Sequence, residues 1–201
     1  MANKVIEGGL RLVEPKAMNN SEIVLISSND SNNMGLGDPV QEYAANAGSI
    51  GSGPSVMQVA QGTATSAVYG VVQSYLAHYS DGTGVMNLSQ VYRSASTAEY
   101  ALIRVGNNED IYEITDDGVL AGLTSGHLNY NYKFIASACD TANGMSKFQI
   151  DSNNGANTAT YPIQVIGASL RQDNDPTLAN ASWRVRLNNV IRSGGTGTLG
   201  V

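Results

Sequence analysis

Side chains able to attack, shuttle protons or hold a metal are few in this chain, and their spacing builds no known reaction centre. The only histidines, His78 and His127, lie far apart in sequence, each beside turn residues. A nucleophile needs a base within hydrogen-bond reach, and hydrolysis by carboxylates needs two of them across a cleft. No Gly-x-Ser-x-Gly elbow, His-Glu-x-x-His pair or Walker loop occurs. The single cysteine, Cys139 in IASACDT, excludes an intramolecular disulfide and reads as a small apolar residue at the end of a buried strand. The sequence predicts no enzymatic activity.

Three acidic clusters invite a calcium assignment: Asn107-Asn108-Glu109-Asp110, Asp116-Asp117 and Asp173-Asn174-Asp175. Calcium takes several oxygen ligands, but none of these clusters has the spacing of a known calcium loop. Asp and Asn are also turn formers, so the clusters are read as turns, with no cofactor and no metal. Eleven Lys and Arg against 17 Asp and Glu give a net charge of −6. No two basic residues are adjacent, so a direct nucleic-acid partner is not expected. No segment reaches the ~18 apolar residues of a membrane span, and MANKVIEGGLRLVEPK lacks a signal-peptide core, so no membrane partner is expected.

The elements that must position any site are strands. Charged residues make up only 14% of the chain and Gly numbers 22, which favours short strands and tight turns over long helices. Glu22 to Ser27 is a continuous apolar run, read as a strand buried on both faces. Strands are also expected from Val40, over Val56 to Val59, Ala67 to Leu76, Tyr100 to Val105, Ile111 to Ile114, Lys133 to Ser137, Lys147 to Ile150, Tyr161 to Gly167 and Ser182 to Asn188. A short helical turn fits within Leu123 to Asn131. In the last strand Trp183, Val185 and Leu187 share one face, with Trp183 as core anchor, and Arg184 and Arg186 share the other. Those two arginines, with Arg171, Asp173 and Asn174 of the preceding turn, are candidates for polar contacts to another subunit.

Residues 1–15 read as an extended apolar arm carrying Val5, Ile6, Leu10 and Leu12. Such an arm either pairs with a later strand of its own chain or orders itself against a partner. HYSDGTG (78–84) marks a boundary, giving a β-rich first half (16–84), a β-sandwich or barrel (85–192) and a flexible tail (193–201). The fold class is mainly β, with little helix.

Two stretches carry a resemblance. YRSASTAEYALIRVGNNEDIYEITDDG (92–118) contains Y-R-x-A-S-T-A-x-Y followed by I-x-E-I-x-x-D-G. YPIQVIGASLRQDNDPTLANASWRVRLNNVIR (161–192) contains P-I-x-V-I-G-x-x-x-R-x-D-N followed by A-x-W-x-V-x-L-N. In wording and order these resemble the head decoration, or capsid cement, proteins of tailed bacteriophages, and Gly37-Asp38-Pro39-Val40 resembles the opening of their small β-tulip barrel. The resemblance implies a β-tulip plus a jelly-roll-like sandwich, made in the host bacterial cytoplasm and carried on the outer capsid surface. It implies a homotrimer that binds the major capsid protein at three-fold and quasi-three-fold junctions and stabilises the expanded shell, with arm residues Val5, Ile6, Leu10 and Leu12 laid against that shell. Two other classes fit the composition. One is a carbohydrate-binding sandwich with Tyr112, Tyr130 and Tyr132 as its platform, and the other is a head- or tail-fibre component for host adhesion.

Overall fold

Period-two alternation of apolar and polar residues becomes twelve strands in the computed structural model, which describes residues 3, 8–16, 20–49, 55–76, 91–119, 128–193 and 197. Five of them close a barrel: β2 (Ser21–Ile26), β3 (Pro39–Gly48), β4 (Val56–Gln61), β5 (Gly70–Tyr75) and β6 (Glu99–Val105), in the order β2-β4-β3-β5-β6. Only β2 and β4 run parallel; the other pairs are antiparallel. The barrel is filled by Val24, Ile26, Val40, Val59, Val72 and Ile103 among others. Leu25, on the other face of β2, is also buried, so the two-sided burial expected of EIVLIS holds from Val24 onward, while Ile23 is 44% exposed and Glu22 half-buried.

The remaining strands are β1 (Arg11–Glu14), β7 (Ile111–Thr115), β8 (Asn131–Tyr132), β9 (Phe134–Ile135), β10 (Gln149–Ile150), β11 (Ile163–Ala168) and β12 (Ser182–Leu187). Five form an antiparallel sheet in the order β1-β7-β12-β11-β8, while β9 and β10 make a separate two-stranded ribbon. The larger core lies on one face of the sheet. Tyr112 and Ile114 of β7, Trp183, Val185 and Leu187 of β12, and Ile163 and Val165 of β11 pack there with Phe134, Phe148 and Ile150 from the ribbon region. Phe134 and Phe148 meet edge to face, with centroids 5.7 Å apart. Val68 and Val71 from the barrel side complete this core, so the ribbon and the barrel wall supply the second layer of the expected sandwich.

Two strands cross the boundary expected near residue 84, and residues 78–84 themselves lie outside the described set. β6 belongs by sequence to the second half, yet it pairs with β2 over six residues and with β5, closing the barrel. β1 belongs to the amino-terminal arm, yet it joins the second sheet, with Arg11 opposite Glu113 and Leu12 opposite Tyr112. The division at 84 is corrected accordingly: barrel and sheet exchange strands. Of the two fates open to the arm, pairing within its own chain is the one adopted. Its strand is short and half exposed, and its apolar side chains find a core already open at the sheet edge.

The two units are tied by backbone bonds from loop to loop. Leu36 N donates to Gly144 O at 2.8 Å, Ser146 N to Leu36 O at 2.9 Å and Leu10 N to Gly37 O at 3.0 Å. Gly37 sits at φ +89°, and any Cβ there would collide with the Gly8 carbonyl. Only glycine allows the arm to lie this close. Among the described residues, no helix is long and apolar enough to cross a membrane.

Candidate functional site

The outward face of the sheet gathers the charged residues singled out above. Glu113 of β7 stands opposite Arg11 of β1 on one side and Arg184 of β12 on the other. Arg11 Nη2 reaches Glu113 Oε1 at 2.9 Å, Arg171 Nη1 reaches the same oxygen at 3.5 Å, and Arg184 pairs with Glu14 of β1. Arg186 Nε donates to Gln164 Oε1 at 2.7 Å. Cross-strand pairs of opposite charge favour this register over a slip by one residue. Partly solvated ion pairs of this kind each contribute little to stability.

The β11–β12 turn uses its polar groups on itself. Asn174 Nδ2 donates to Ser169 O at 3.3 Å and to Ser182 O at 3.0 Å, while Ser182 N donates back to Asn174 Oδ1 at 2.7 Å. Arg171 Nε donates to Asp173 Oδ1 at 3.0 Å, and this bond holds the Asp173 carboxyl below the usual range. Asp175 accepts from the hydroxyl and amide of Thr177 and is held down in the same way. Arg171, Asp173, Asn174, Arg184 and Arg186 therefore all have partners within the chain, and what each could offer another subunit is what those bonds leave over.

Two buried polar centres were not assigned a role from the sequence. Arg93 is 0% exposed, and its guanidinium reaches four backbone carbonyls: Thr97 at 2.7 Å, Asn32 at 2.7 Å, Ser27 at 2.6 Å and Asp30 at 2.8 Å. The Asp30 carboxylate lies 3.7 Å away. A planar fork of five donors suits this role, because one side chain fixes both the loop that leaves β2 and the approach to β6. Asp38, at the entrance to β3, is fully buried. Its Oδ2 accepts from Gly35 N at 3.0 Å and Gln61 Nε2 at 2.9 Å, and Ser146 lies beside it. Its Oδ1 has no hydrogen-bond partner among the described residues. Burial pushes this carboxyl up to about 7, against the pull of those hydrogen bonds and with the Asp30 charge adding to the rise. Arg93 stands in YRSASTAEY and Asp38 in GDPV. The readable signal was an ionisable residue within a run of small or turn residues, beside strands that leave it no exposed face.

The other acidic clusters also act within the fold. Asp110 Oδ2 takes Arg104 Nε at 2.7 Å and Asn107 Nδ2 at 2.6 Å, a buried pair that anchors the β6–β7 turn. Asp116 Oδ2 accepts the Trp183 indole N–H at 2.9 Å while its Oδ1 takes Gly118 N at 2.9 Å; burial raises its pKa and those donors lower it. Trp183 is 1% exposed, the core anchor expected of it. Among the described residues, no three His, Cys, Asp or Glu side chains are placed to hold a metal ion. Cys139 is buried, with its thiol pushed up to about 11 by burial, which makes it unreactive at neutral pH.

Two expectations are corrected by burial. Leu10 is 2% exposed and belongs to the sheet core, with Leu12 packed half-buried against it. Leu10 cannot lie against a shell while occupying this place, Leu12 keeps only part of its surface for one, and Val5 and Ile6 fall outside the described residues. A glycan platform needs exposed aromatic faces, yet Tyr112 and Tyr132 are 0% and 1% exposed and Tyr130 packs partly buried on the same core. His78, His127 and residues 123–127 of the expected helical turn lie outside the described set, and its described residues 128–131 form a turn that leads into β8 and not a helix.

Between β1 and β5 lies an open cleft of about 260 Å³ lined by Leu10, Leu12, Val71, Val72 and Met145, with Arg11 among its polar residues. Together these features define a mainly β protein, a closed barrel interlocked with a sheet, whose ionisable groups are used chiefly to fix loops and strands. No protein-family model matches the chain, and neither the curated proteins nor the solved structures include a match to it.

Proposed function

We propose that the protein is a structural component of a tailed-bacteriophage virion. It binds the outer surface of the expanded head as a homotrimer, at three-fold and quasi-three-fold junctions of the major capsid protein, and opposes separation of shell subunits under the pressure of packaged DNA. The observation that carries this reading is the Trp183–Asp116 hydrogen bond. It joins the I-x-E-I-x-x-D-G segment to the A-x-W-x-V-x-L-N segment, the two strand motifs on which the resemblance to capsid cement proteins rests. The strands themselves pair residue for residue from Ser182 opposite Thr115 to Arg186 opposite Ile111. The two motifs thus lie on neighbouring strands of this chain, and the reading itself rests on the resemblance of their wording.

A C3 assembly suits a three-fold junction because its symmetry repeats that of the site. Three weak grips joined in one trimer can gain ~10²–10⁴ in avidity over one alone. The test is molar mass by light scattering, followed by co-sedimentation with expanded, DNA-free heads of the phage that encodes the protein. A trimer that pellets with heads and raises the temperature at which they rupture is the expected result. A protein that stays in the supernatant at saturating concentration refutes the proposal.

A further inference from the structure

Asp38 is 0% exposed, and its Oδ1 has no hydrogen-bond partner among the described residues. It sits at the seam where the barrel meets the loops of the second unit. Gln61 of β4 and the Gly35 amide reach its Oδ2, and the Ser146 side chain hydrogen-bonds to the same carboxyl from across the seam. The ionisable groups that face it bring no counter-charge: Asp30 comes from the loop after β2, Tyr75 from β5 and Cys139 from the loop after β9. The Arg93 guanidinium is already spent on Asp30 and four carbonyls. An ionised Asp38 is therefore a buried charge without compensation, and it is relieved most cheaply by moving whichever cover is held least firmly.

That cover is the segment 139–146. β3, β4 and β5 around the carboxyl belong to a closed barrel, whereas this segment lies in no strand and meets the barrel side through one isolated bridge, Leu36 to Met145. Its turn is braced from within, so it can move as one piece: Gly144 N donates to Asp140 O at 2.8 Å, Asp140 N to Met145 O at 2.9 Å and Met145 N to Asn143 Oδ1 at 2.8 Å. A few backbone bonds hold it down, from Cys139 N to Asn33 O at 3.1 Å, from Gly8 N to Ser146 O at 2.8 Å and the pair that joins Leu36 to Gly144 and Ser146. We propose that residues 139–146 are a flap that lies shut while Asp38 is protonated and lifts when Asp38 ionises, admitting water to the carboxylate. Cys139, the only thiol of the chain, is uncovered by the same movement, because it is 6% exposed and its Cβ packs against Gly35 at the barrel entrance. The flap needs no partner and stands apart from the capsid reading.

Covered, the Asp38 carboxyl is raised from 3.8 to about 7, and in water it returns to its ordinary value, so rising pH favours the open form. The open fraction should grow about tenfold between pH 6 and pH 8 and level off above that. The experiment uses the full chain and follows alkylation of Cys139 by iodoacetamide. Each rate is divided by that of the same chain unfolded in concentrated urea at the same pH, which cancels the titration of the thiol itself. The normalised rate should rise about tenfold from pH 6 to pH 8 in the wild type and stay flat in Asp38→Asn, which has no proton to lose. Addition of about 1 M urea separates the flap from global unfolding, since a local opening exposes little surface and scarcely responds, whereas complete unfolding accelerates labelling about tenfold or more. A normalised rate that ignores pH, one that rises equally in Asp38→Asn, or one that climbs steeply in the added urea would each overturn the flap.

Discussion

Replacing Asp38 by asparagine should stabilise the protein at neutral and alkaline pH while changing it little in acid. The buried carboxyl is raised from 3.8 to about 7 in the folded state. Between those two values the folded chain holds a proton that the unfolded chain has released, so stability falls as pH rises through that window and levels off above it. A shift of about three units corresponds to roughly 4 kcal/mol at pH 8, and about 1.5–2 of that is already lost at pH 5. Asparagine keeps an oxygen for Gly35 N and Gln61 Nε2 and carries no charge, so it mimics the protonated acid. The advantage of Asp38→Asn should therefore grow by about 2–3 kcal/mol between pH 5 and pH 8. Trp183, the only tryptophan and a buried one, reports the transition, so urea unfolding followed by its fluorescence at pH 5, 6, 7 and 8 measures this directly. Taking the difference between variant and wild type cancels the titration of other groups. A difference that stays constant across the range would refute the reasoning, because it would mean that Asp38 does not titrate between the two pH values.

Arg93→Ala should destabilise the fold by about 3–5 kcal/mol in the same assay, since it removes the donor shared by four carbonyls, of which Ser27 O and Asp30 O keep amide partners, and takes the buried counter-charge from Asp30. Arg93→Lys should recover only a small part of this, because a single ammonium cannot span all four. Trp183→Phe keeps most of the apolar volume but takes the indole donor from Asp116 Oδ2 while Gly118 N still serves Oδ1; the cost of about 1–3 kcal/mol should shrink in acid as Asp116 protonates, as read by circular dichroism because this variant has no tryptophan. Deletion of residues 1–15 strips Leu10 from the core and β1 from the sheet edge, so a large fall in thermal midpoint is expected, and a truncated chain of unaltered stability would show that the arm is dispensable. Gly37→Ala should do similar damage with a single methyl group, by pushing the Gly8 carbonyl away.

Strand positions were legible because alternation, turn residues and apolar runs are local signals. β2, β6, β7, β11 and β12 each fall within a residue or two of the expected segments. The two faces of β12 follow from period two alone, with Trp183, Val185 and Leu187 inside and Arg184 and Arg186 outside. Partner choice was not legible. Nothing near Arg11 announces that it will meet Glu113, and nothing near Glu99–Val105 says that this strand closes a barrel begun at Ser21, because such pairings are selected by packing over the whole chain. The buried polar centres were hidden for a related reason. Arg93 and Asp38 look like ordinary loop residues until the loops around them close, and Tyr112 and Tyr132 look like a platform until the core takes their faces.

The exchange of strands between barrel and sheet also sets a timetable for synthesis. β1 leaves the ribosome well before its mate, since the side chain that holds Arg11 lies 102 positions further on. At ~5–20 residues per second the strand waits roughly 5–20 s without a mate. The barrel is no quicker to finish, since its closing strand is one of the last things made before β7 itself. The barrel has all its strands once β6 is made, five residues before β7 begins, whereas the sheet waits for β12, which ends at Leu187. Up to that moment the nascent chain is a set of open edges, so the concentration of neighbouring nascent chains will weigh heavily on its yield.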